Sequence, residues 1–456
     1  MQTDRIDSLE QLRQLGQRPY LQDTPYIWIP RGGYQEGTSV SLVGRILTIR
    51  RMGSMTFATI LYSETPNATQ LSRIQVVFQQ GFTAEGWKQI VKHIHSGDLV
   101  HFEGVYKATV AGEKSIFVSN FHILSKALVT VPYGQEKDGE AFNQVRDAEI
   151  LMRHRHLAML IDDDLRQRLV ERSRMITNIR ETLNTASFIE VQTPTLLQIP
   201  GGAEAKTFDT HYNAYEADVK LRISLEIQLK KLLCGGFERV YEIGTVYRNE
   251  GISAHHNPEF TLLEYYTAYD NFTQGIERFK VIVQAASQHF EVKINESDWT
   301  TMTMREAIYE HAGHDIDEWD FSKPETLEML EECMKSFVEP KLLSPTIITH
   351  HPSCISPLAR SQDGKYAERF EAYISGMEIA NGFCEQNDPQ VQLAAFQSQF
   401  DALGNQIDHD FVYALACGMP PAFGVGIGID RLAMALSDAS HIRQVSWFPY
   451  VKPVQE

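Results

Sequence analysis

The chain has 456 residues, 43% of them hydrophobic and 22% charged. That composition fits a globular protein with more than one core, since single cores stop growing near ~250–300 residues. A formal net charge of −17 excludes a surface that is basic throughout, so any contact with nucleic acid has to come from a local basic patch. The five cysteines form no Cys-x-x-Cys pair and have no histidine at zinc spacing, which argues against a structural metal and predicts a reduced, cytoplasmic protein. The first residues lack a signal-peptide pattern, and no apolar run approaches the ~20 residues of a membrane span.

Residues 1–37 read as a polar N-terminal extension with a short helix around Ile6–Leu15. From Thr38 to Leu124 the pattern is strand-like: Val40, Leu42 and Ile46 alternate with polar or outward positions, as do Ile74, Val76 and Phe78. Short strands interrupted by one helix near Gly86–His95 predict a small barrel of the OB type over 38–130, with another small β-barrel as the alternative. The Gly-, Pro- and charge-rich stretch Val131–Asn143 predicts a linker over 131–150. In the remaining domain, 151–456, Leu165, Leu169, Ile176, Ile179 and Leu183 share one face of a long helix. A strand at Phe188–Val191 follows, then strands and helices without βαβ alternation. This predicts an α+β domain around an antiparallel sheet.

The most informative residues lie in this second domain. Tyr247-Arg248-Asn249-Glu250 and His255-His256-Asn257-Pro258-Glu259-Phe260-Thr261 are echoed by Gly424-Val425-Gly426-Ile427-Gly428-Ile429-Asp430-Arg431. Two arginines, a polar turn and a glycine-rich run suit a nucleoside triphosphate attacked at its α-phosphate, where charge builds in the transition state. No Gly-x-x-x-x-Gly-Lys-Ser/Thr is present, so the architecture is not a P-loop. Strand phase places Phe260, Leu262, Glu264 and Tyr266 on one surface, and another strand supplies Asn381, Phe383 and Glu385 in phase with one another. Two carboxylates on one floor, Glu264 and Glu385, are what a buried ammonium requires. Glu378 is out of phase with Asn381 and needs either a bulge, for which Gly376 gives the opportunity, or a different contact. Read singly, Arg248 and Glu250 make a surface ion pair, Phe260 and Tyr266 core residues, and the glycines close-packing positions.

In combination these segments resemble class II lysyl-tRNA synthetases over roughly residues 38–453. The long helix with Phe188-Ile189-Glu190-Val191-Gln192-Thr193-Pro194 resembles motif 1, Tyr247 to Phe260 motif 2, and Gly424 to Arg431 motif 3. Pro200-Gly201-Gly202-Ala203, Arg239-Val240-Tyr241-Glu242 and Asn381 to Asp388 are closer to the lysine enzyme than to its aspartate and asparagine relatives. The resemblance implies ATP and Mg2+, with lysine and tRNA as substrates and a homodimer through motif 1. By the same resemblance Arg248 holds the α-phosphate and the lysine carboxylate with Asn381, and Phe260 and Arg431 sandwich adenine. Glu250 and Asn257 address the adenine and ribose, and His256 the triphosphate. Glu371 and Glu378 form the magnesium pair. Glu264, Tyr266, Phe383 and Glu385 belong to the pocket for the substrate side chain, Glu226 and Gly202 to its α-amino group. Arg50, Phe57, Gln75 and Glu113 of the barrel are implied to read the anticodon by stacking and hydrogen bonding, the alternative for Phe57 being barrel filling.

The chain departs from the family pattern at His255, where arginine is usual, at Leu225, where proline precedes the glutamate, and at Phe423, where a small residue is usual. Asp315–Leu343 is shorter than its usual counterpart. His255 predicts weaker or pH-sensitive triphosphate binding, Leu225 a looser loop, and Phe423 a narrower pocket. A lysyl transferase acting on a protein side chain is the competing enzyme reading, although such relatives lack the barrel. A catalytically weakened paralogue with an RNA-binding or regulatory role is the competing non-enzyme reading. An aspartate-specific relative is disfavoured, since an acidic substrate would meet Glu264 and Glu385.

Overall fold

The computed structural model describes residues 2–20, 35–65, 67–137, 140–144, 147–403 and 407–452. It divides into two units, Met1–Val170 with Val451–Glu456, and Glu171–Tyr450.

In the first unit the helix Thr3–Gln14 precedes the barrel. Residues 21–34 of the expected N-terminal extension lie outside the described residues. The extension is less polar in effect than its composition: Leu12 is fully buried among the barrel side chains. Arg5, also buried, donates to the carbonyls of Ser96 and Ala127 at 2.9 and 3.1 Å. Strands β1 (Ser39–Met52), β2 (Met55–Tyr62), β3 (Ser72–Gln79), β4 (Leu99–Ala108) and β5 (Lys114–Ser125) close in the order β1-β2-β3-β5-β4. The helix Trp87–Val91 falls between β3 and β4 and stacks Trp87 on Phe78. The alternation read from sequence holds, because Val40, Leu42, Ile46, Ile74, Val76 and Phe78 all point into the barrel core. Within the expected linker, β6 (Tyr133–Lys137) and β7 (Glu140–Gln144) pair antiparallel, with Lys137 opposite Glu140. Asp138-Gly139 between them is a hairpin sequence signal that charge and glycine content disguise as linker.

The second unit is built on a large sheet. The helix Asp163–Thr185 contributes Met175, Ile179 and Leu183 to its main core. Strand β8 (Ile189–Glu190) follows, and β9 (Leu196–Leu197), β10 (Asp209–Tyr212) and β11 (Ala217–Leu221) make a small separate sheet. Next come β12 (Arg239–Tyr247), β13 (Glu259–Ala268), β14 (Thr300–Thr303) and β15 (Thr346–Thr349). The last three are β16 (Arg369–Ile374), β17 (Met377–Cys384) and β18 (Ala422–Gly428). The eight-stranded order is β14-β15-β16-β17-β18-β13-β12-β8. All inner pairs are antiparallel, as expected, and the two outermost pairs are parallel. One face packs Leu263, Tyr265, Phe423, Val425 and Ile427 into the main core. Alternate residues of the same strands therefore emerge on the opposite face, where the site is built.

Candidate active site

A cavity of about 390 Å³ lies on that opposite face. Its floor is Phe260, Leu262, Glu264 and Tyr266 from β13, Asn381 and Phe383 from β17, and Gly424, Gly426 and Gly428 from β18. The loop joining β12 to β13 adds Arg248, Glu250, His255, His256 and Asn257, and Arg431 projects from the helix Ile429–Leu436. Gly202 and Glu226 complete the wall. Two glycines are required by space. A Cβ on Gly424 would lie 2.2 Å from Glu385 Oε1, and one on Gly202 (φ +84°) would lie 2.2 Å from Ser224 Oγ.

The expected bulge is present. Ala372 pairs with Ala380 while Tyr373 pairs with Glu378, leaving Ile379 as the extra residue of β17. That one-residue slip returns Glu378 to the face of Asn381, and both line the cavity. Glu371, opposite Asn381 on β16, shares that face but is not among the lining residues.

At one end the site is anionic. Glu264 is buried and accepts from the Leu225 backbone N–H at 2.9 Å and from the Tyr266 hydroxyl at 2.8 Å. Burial, reinforced by the charge of Glu226, pushes the Glu264 carboxyl up to about 7. Glu226 begins the helix Glu226–Cys234 and is paired at 2.5 Å with Lys230, one turn along and fully buried. Lys230 also forms an ion pair with Glu385. Glu385 therefore sits just behind the floor, under Gly424 and beside Tyr266, and is not among the lining residues.

At the other end the site is cationic. The Arg248 guanidinium stands 5.3 Å from the Phe260 ring centroid, and its Nε donates to the Ile223 carbonyl at 3.4 Å. Among the described residues it makes no ion pair, which leaves its fork available to a ligand. Arg431 donates to Glu378 Oε2 at 3.2 Å and meets His256 Nε2 at 2.8 Å. Burial and then Arg431 lower both His255 and His256, so neither carries charge at neutral pH. Asn257 donates to the Glu259 carbonyl at 3.0 Å. Glu250 accepts from the Lys206 backbone N–H at 3.4 Å.

A family model described as class II tRNA synthetases (D, K and N) matches residues 147–452. A lysine–tRNA ligase of Moorella thermoacetica is 35% identical over 491 residues, covering 99% of this chain and 98% of that one. Lysine–tRNA ligases of Synechococcus sp. CC9605 and Dehalococcoides mccartyi CBDB1 are 36% and 37% identical, covering 98% and 91% of this chain and 96% and 87% of theirs. The chain belongs to the class II lysyl-tRNA synthetase family.

Two departures from the family pattern take on physical meaning in this synthetase fold. Phe423 does not narrow the pocket. It points to the other face, fully buried and parallel to Phe370, and fits because position 275 is glycine: a Cβ there would lie 2.2 Å from the Phe423 ring. Leu225 does not loosen its loop: it is buried, and its N–H, which proline lacks, is a ligand of Glu264.

Several supporting residues escaped the sequence reading. Arg369 donates to Asn381 Oδ1 at 3.1 Å and to Glu371 at 2.5 Å, which turns the Asn381 amide N–H groups toward the cavity. Arg172 of the long helix binds Asp430 at 2.8 Å, and Asp430 accepts from the Thr261 backbone N–H at 2.7 Å, so the three signature segments meet at one carboxylate. Arg222 and Thr193 hold Glu242, which explains why that carboxylate does not enter the cavity. Only Lys230 carried any signal, as a lysine one helical turn after Glu226.

In the barrel unit, Arg50 and Phe57 are directly cross-strand, and Phe57 lies outside the interior cluster that its neighbours Ala58 and Ile60 join. Gln75 donates to Glu113 at 3.0 Å and accepts from Ser115 at 2.9 Å. Phe57 is half-buried on the outer face, so it does not fill the barrel.

Proposed function

We propose that this chain joins L-lysine to tRNA in two steps. The lysine carboxylate attacks the α-phosphate of ATP, giving lysyl-adenylate and pyrophosphate. The terminal ribose hydroxyl of a lysine tRNA then takes the lysyl group, releasing AMP. The carrying observation is the polarity of one cavity, with Glu226 and Glu264 at one end and the unpaired Arg248 at the other. A zwitterion with an additional ammonium fits that sequence of charges. Burial lowers the basicity of Arg248, and among the described residues no carboxylate forms an ion pair with it, as expected of a cation kept for a ligand.

Arg248 and the Asn381 amide are suited to hold the substrate carboxylate against the α-phosphate, supplying positioning and charge neutralisation. In this reading Phe260 and Arg431 take the adenine, Glu250 and Asn257 the adenine and ribose, and His256 the triphosphate, supported by their lining of one cavity. In the same reading Glu264 and Tyr266 take the ε-ammonium, and Glu226 and the Gly202 backbone the α-amino group, supported by their place in the cavity wall and the Tyr266–Glu264 hydrogen bond. Glu371 and Glu378 fit Mg2+ in donor chemistry. Burial opposes ionisation of Glu371, yet His351 and Arg369 hold it well below the usual carboxylate range, while burial and the Glu371 charge raise Glu378. A cation between two such groups relieves their repulsion, and Mg2+ takes its remaining ligands from phosphates and water. When bound, it would neutralise charge on the phosphate oxygens. The barrel residues Arg50, Phe57, Gln75 and Glu113 are the anticodon contacts of this reading, and the long helix its homodimer contact. Among the described residues no helix is long and apolar enough to cross a membrane. In this reading the enzyme acts in the cytoplasm.

The test is lysine-dependent ATP–pyrophosphate exchange with the other amino acids as controls, followed by charging of lysine tRNA. Exchange with lysine alone and charging are expected. Exchange without charging would shift the reading to a protein-modifying or regulatory paralogue, and no exchange with any amino acid would overturn it.

A further inference from the structure

Behind the cavity end proposed to meet the substrate side chain lies a lysine of the protein itself. Lys230 is wholly excluded from solvent, 2.5 Å from Glu226 Oε1, paired with Glu385 Oε2, and 5.3 Å from the Phe383 ring centroid. An unpaired ammonium at such a depth would lose its proton, and a pair of unpaired carboxylates would gain them. Here burial lowers the basicity of Lys230, but Glu226 and Glu385 more than offset it, so the ammonium persists. Neither Glu385 oxygen has a hydrogen bond of ordinary geometry: Oε2 is held by the Lys230 ion pair, while Oε1 lies against the bare Cα of Gly424 on the cavity floor.

Charge counting gives this arrangement a purpose. With lysine bound, which favours the ionised carboxylates over their burial, Glu226, Glu264 and Glu385 bring three negative charges and Lys230 one positive charge. The remainder matches the two ammonium groups of free lysine, while Arg248 awaits its carboxylate. We propose that Lys230 is a built-in counter-ion that holds Glu385 through one oxygen and presents the other, beneath Gly424, to the substrate ε-ammonium. Lys230 is then a positioning residue for lysine selection. The proposal rests on the lysine-activating reading above.

The groups facing Glu385 are Lys230 and Glu226 from the helix, Glu264 and Tyr266 from β13, and Cys384 beside it on β17. Lys230 alone among them favours the carboxylate, so its removal should make Glu385 hold a proton to higher pH. Pyrophosphate exchange should show this in Lys230→Met. The expected result is a KM for lysine raised about tenfold or more and still improving with pH above neutrality, an ATP KM within about twofold of native, and partial recovery in Lys230→Arg. A soluble Lys230→Met with native lysine KM and pH profile overturns the proposal. So does equal loss for lysine and ATP without a changed pH profile. Should Lys230→Met fail to fold, a structure of the native enzyme with L-lysine decides: the ε-nitrogen is expected on Glu385 Oε1 with Lys230 still on Oε2. Displacement of Lys230, or an ε-nitrogen out of reach of Glu385, overturns it. Failure of the native enzyme to exchange with lysine would instead remove the underlying reading.

Discussion

Leu225 donates its backbone N–H to Glu264 Oε1 at 2.9 Å, completing a carboxylate site whose other oxygen is held by Tyr266. A proline at this position, the usual residue of the family, has no N–H to give. Leu225→Pro should therefore raise the lysine KM about tenfold, the order expected for a hydrogen bond to a buried charge, with little change for ATP. Leu225→Ala keeps the donor and serves as the control: it should lose stability through the cavity it leaves and retain the native lysine KM. Equal lysine KM values in the two variants would remove the amide from the recognition site.

Proton release is the second expectation. Burial and Glu226 push Glu264 up to about 7, so below that pH the empty site holds a proton on Glu264 that an incoming ammonium must displace. The bound carboxylate has the lower proton affinity, so lysine affinity should fall as pH drops below about 7, approaching tenfold per unit. Calorimetry at pH 6 in buffers of different ionisation enthalpy should show protons released on lysine binding, with the effect fading by pH 8. Glu264→Gln should weaken lysine use far more than ATP binding and reduce the released protons. Equal losses for both substrates would undercut the ammonium assignment.

Strand phase made much of this site legible. Phe260, Leu262, Glu264 and Tyr266 emerge together because side chains alternate at period two, and the interior of the barrel followed from the same rule. The misfit of Glu378 called for a bulge or a different contact, and the structure has the bulge, with Ile379 as its extra residue. What was hidden depends on long-range pairing. Lys230-Lys231 reads as a solvated helix face until Glu385, far along the chain, is folded onto it. Arg369, Arg172 and Arg222 are ordinary surface cations in sequence, and only the sheet brings each to its carboxylate. Phe423 looked like an obstruction because its direction relative to Gly424 matters more than its size, and that direction is set by pairing with β13 and β17.

The Phe423–Gly275 contact can be tested as a pair. A methyl group at 275 would overlap the ring at 2.2 Å, so Gly275→Ala should destabilise the enzyme by about 1–3 kcal/mol in denaturant unfolding. Phe423→Ala should cost about 3–5 kcal/mol for the lost packing. The double variant should be more stable than the sum of the two single losses predicts, because the clash vanishes with the ring. Strict additivity would mean that helix and sheet relax independently. The lysine KM should change little in any folded variant, as Phe423 faces away from the cavity.

His255 lines the cavity where the family usually supplies arginine, and burial together with Arg431 lowers its basicity. At neutral pH it adds no charge to the triphosphate region. His255→Arg should lower the ATP KM about three- to tenfold, the modest return of a partly exposed cation on phosphate. In the native enzyme the charge appears only below the usual histidine range, so the ATP KM, corrected for ionisation of ATP itself, should improve as pH falls toward 5.5. That improvement should shrink in the variant.

Phe57 pairs with Arg50 across β1 and β2 and stands outside the barrel core, where an unpaired base can stack on it. Stacking on an aromatic ring is worth about 1–3 kcal/mol per base, so Phe57→Ala should raise the tRNA concentration needed for charging by roughly fivefold to a hundredfold. Gln75 is fixed between Glu113 and Ser115 and does not depend on the ring, so the barrel should remain folded. Adenylate formation uses residues of the other unit and should stay near native in pyrophosphate exchange. A variant that lost exchange and charging together would contradict this division of labour, because a stacking platform for tRNA has no part in a step that tRNA does not enter.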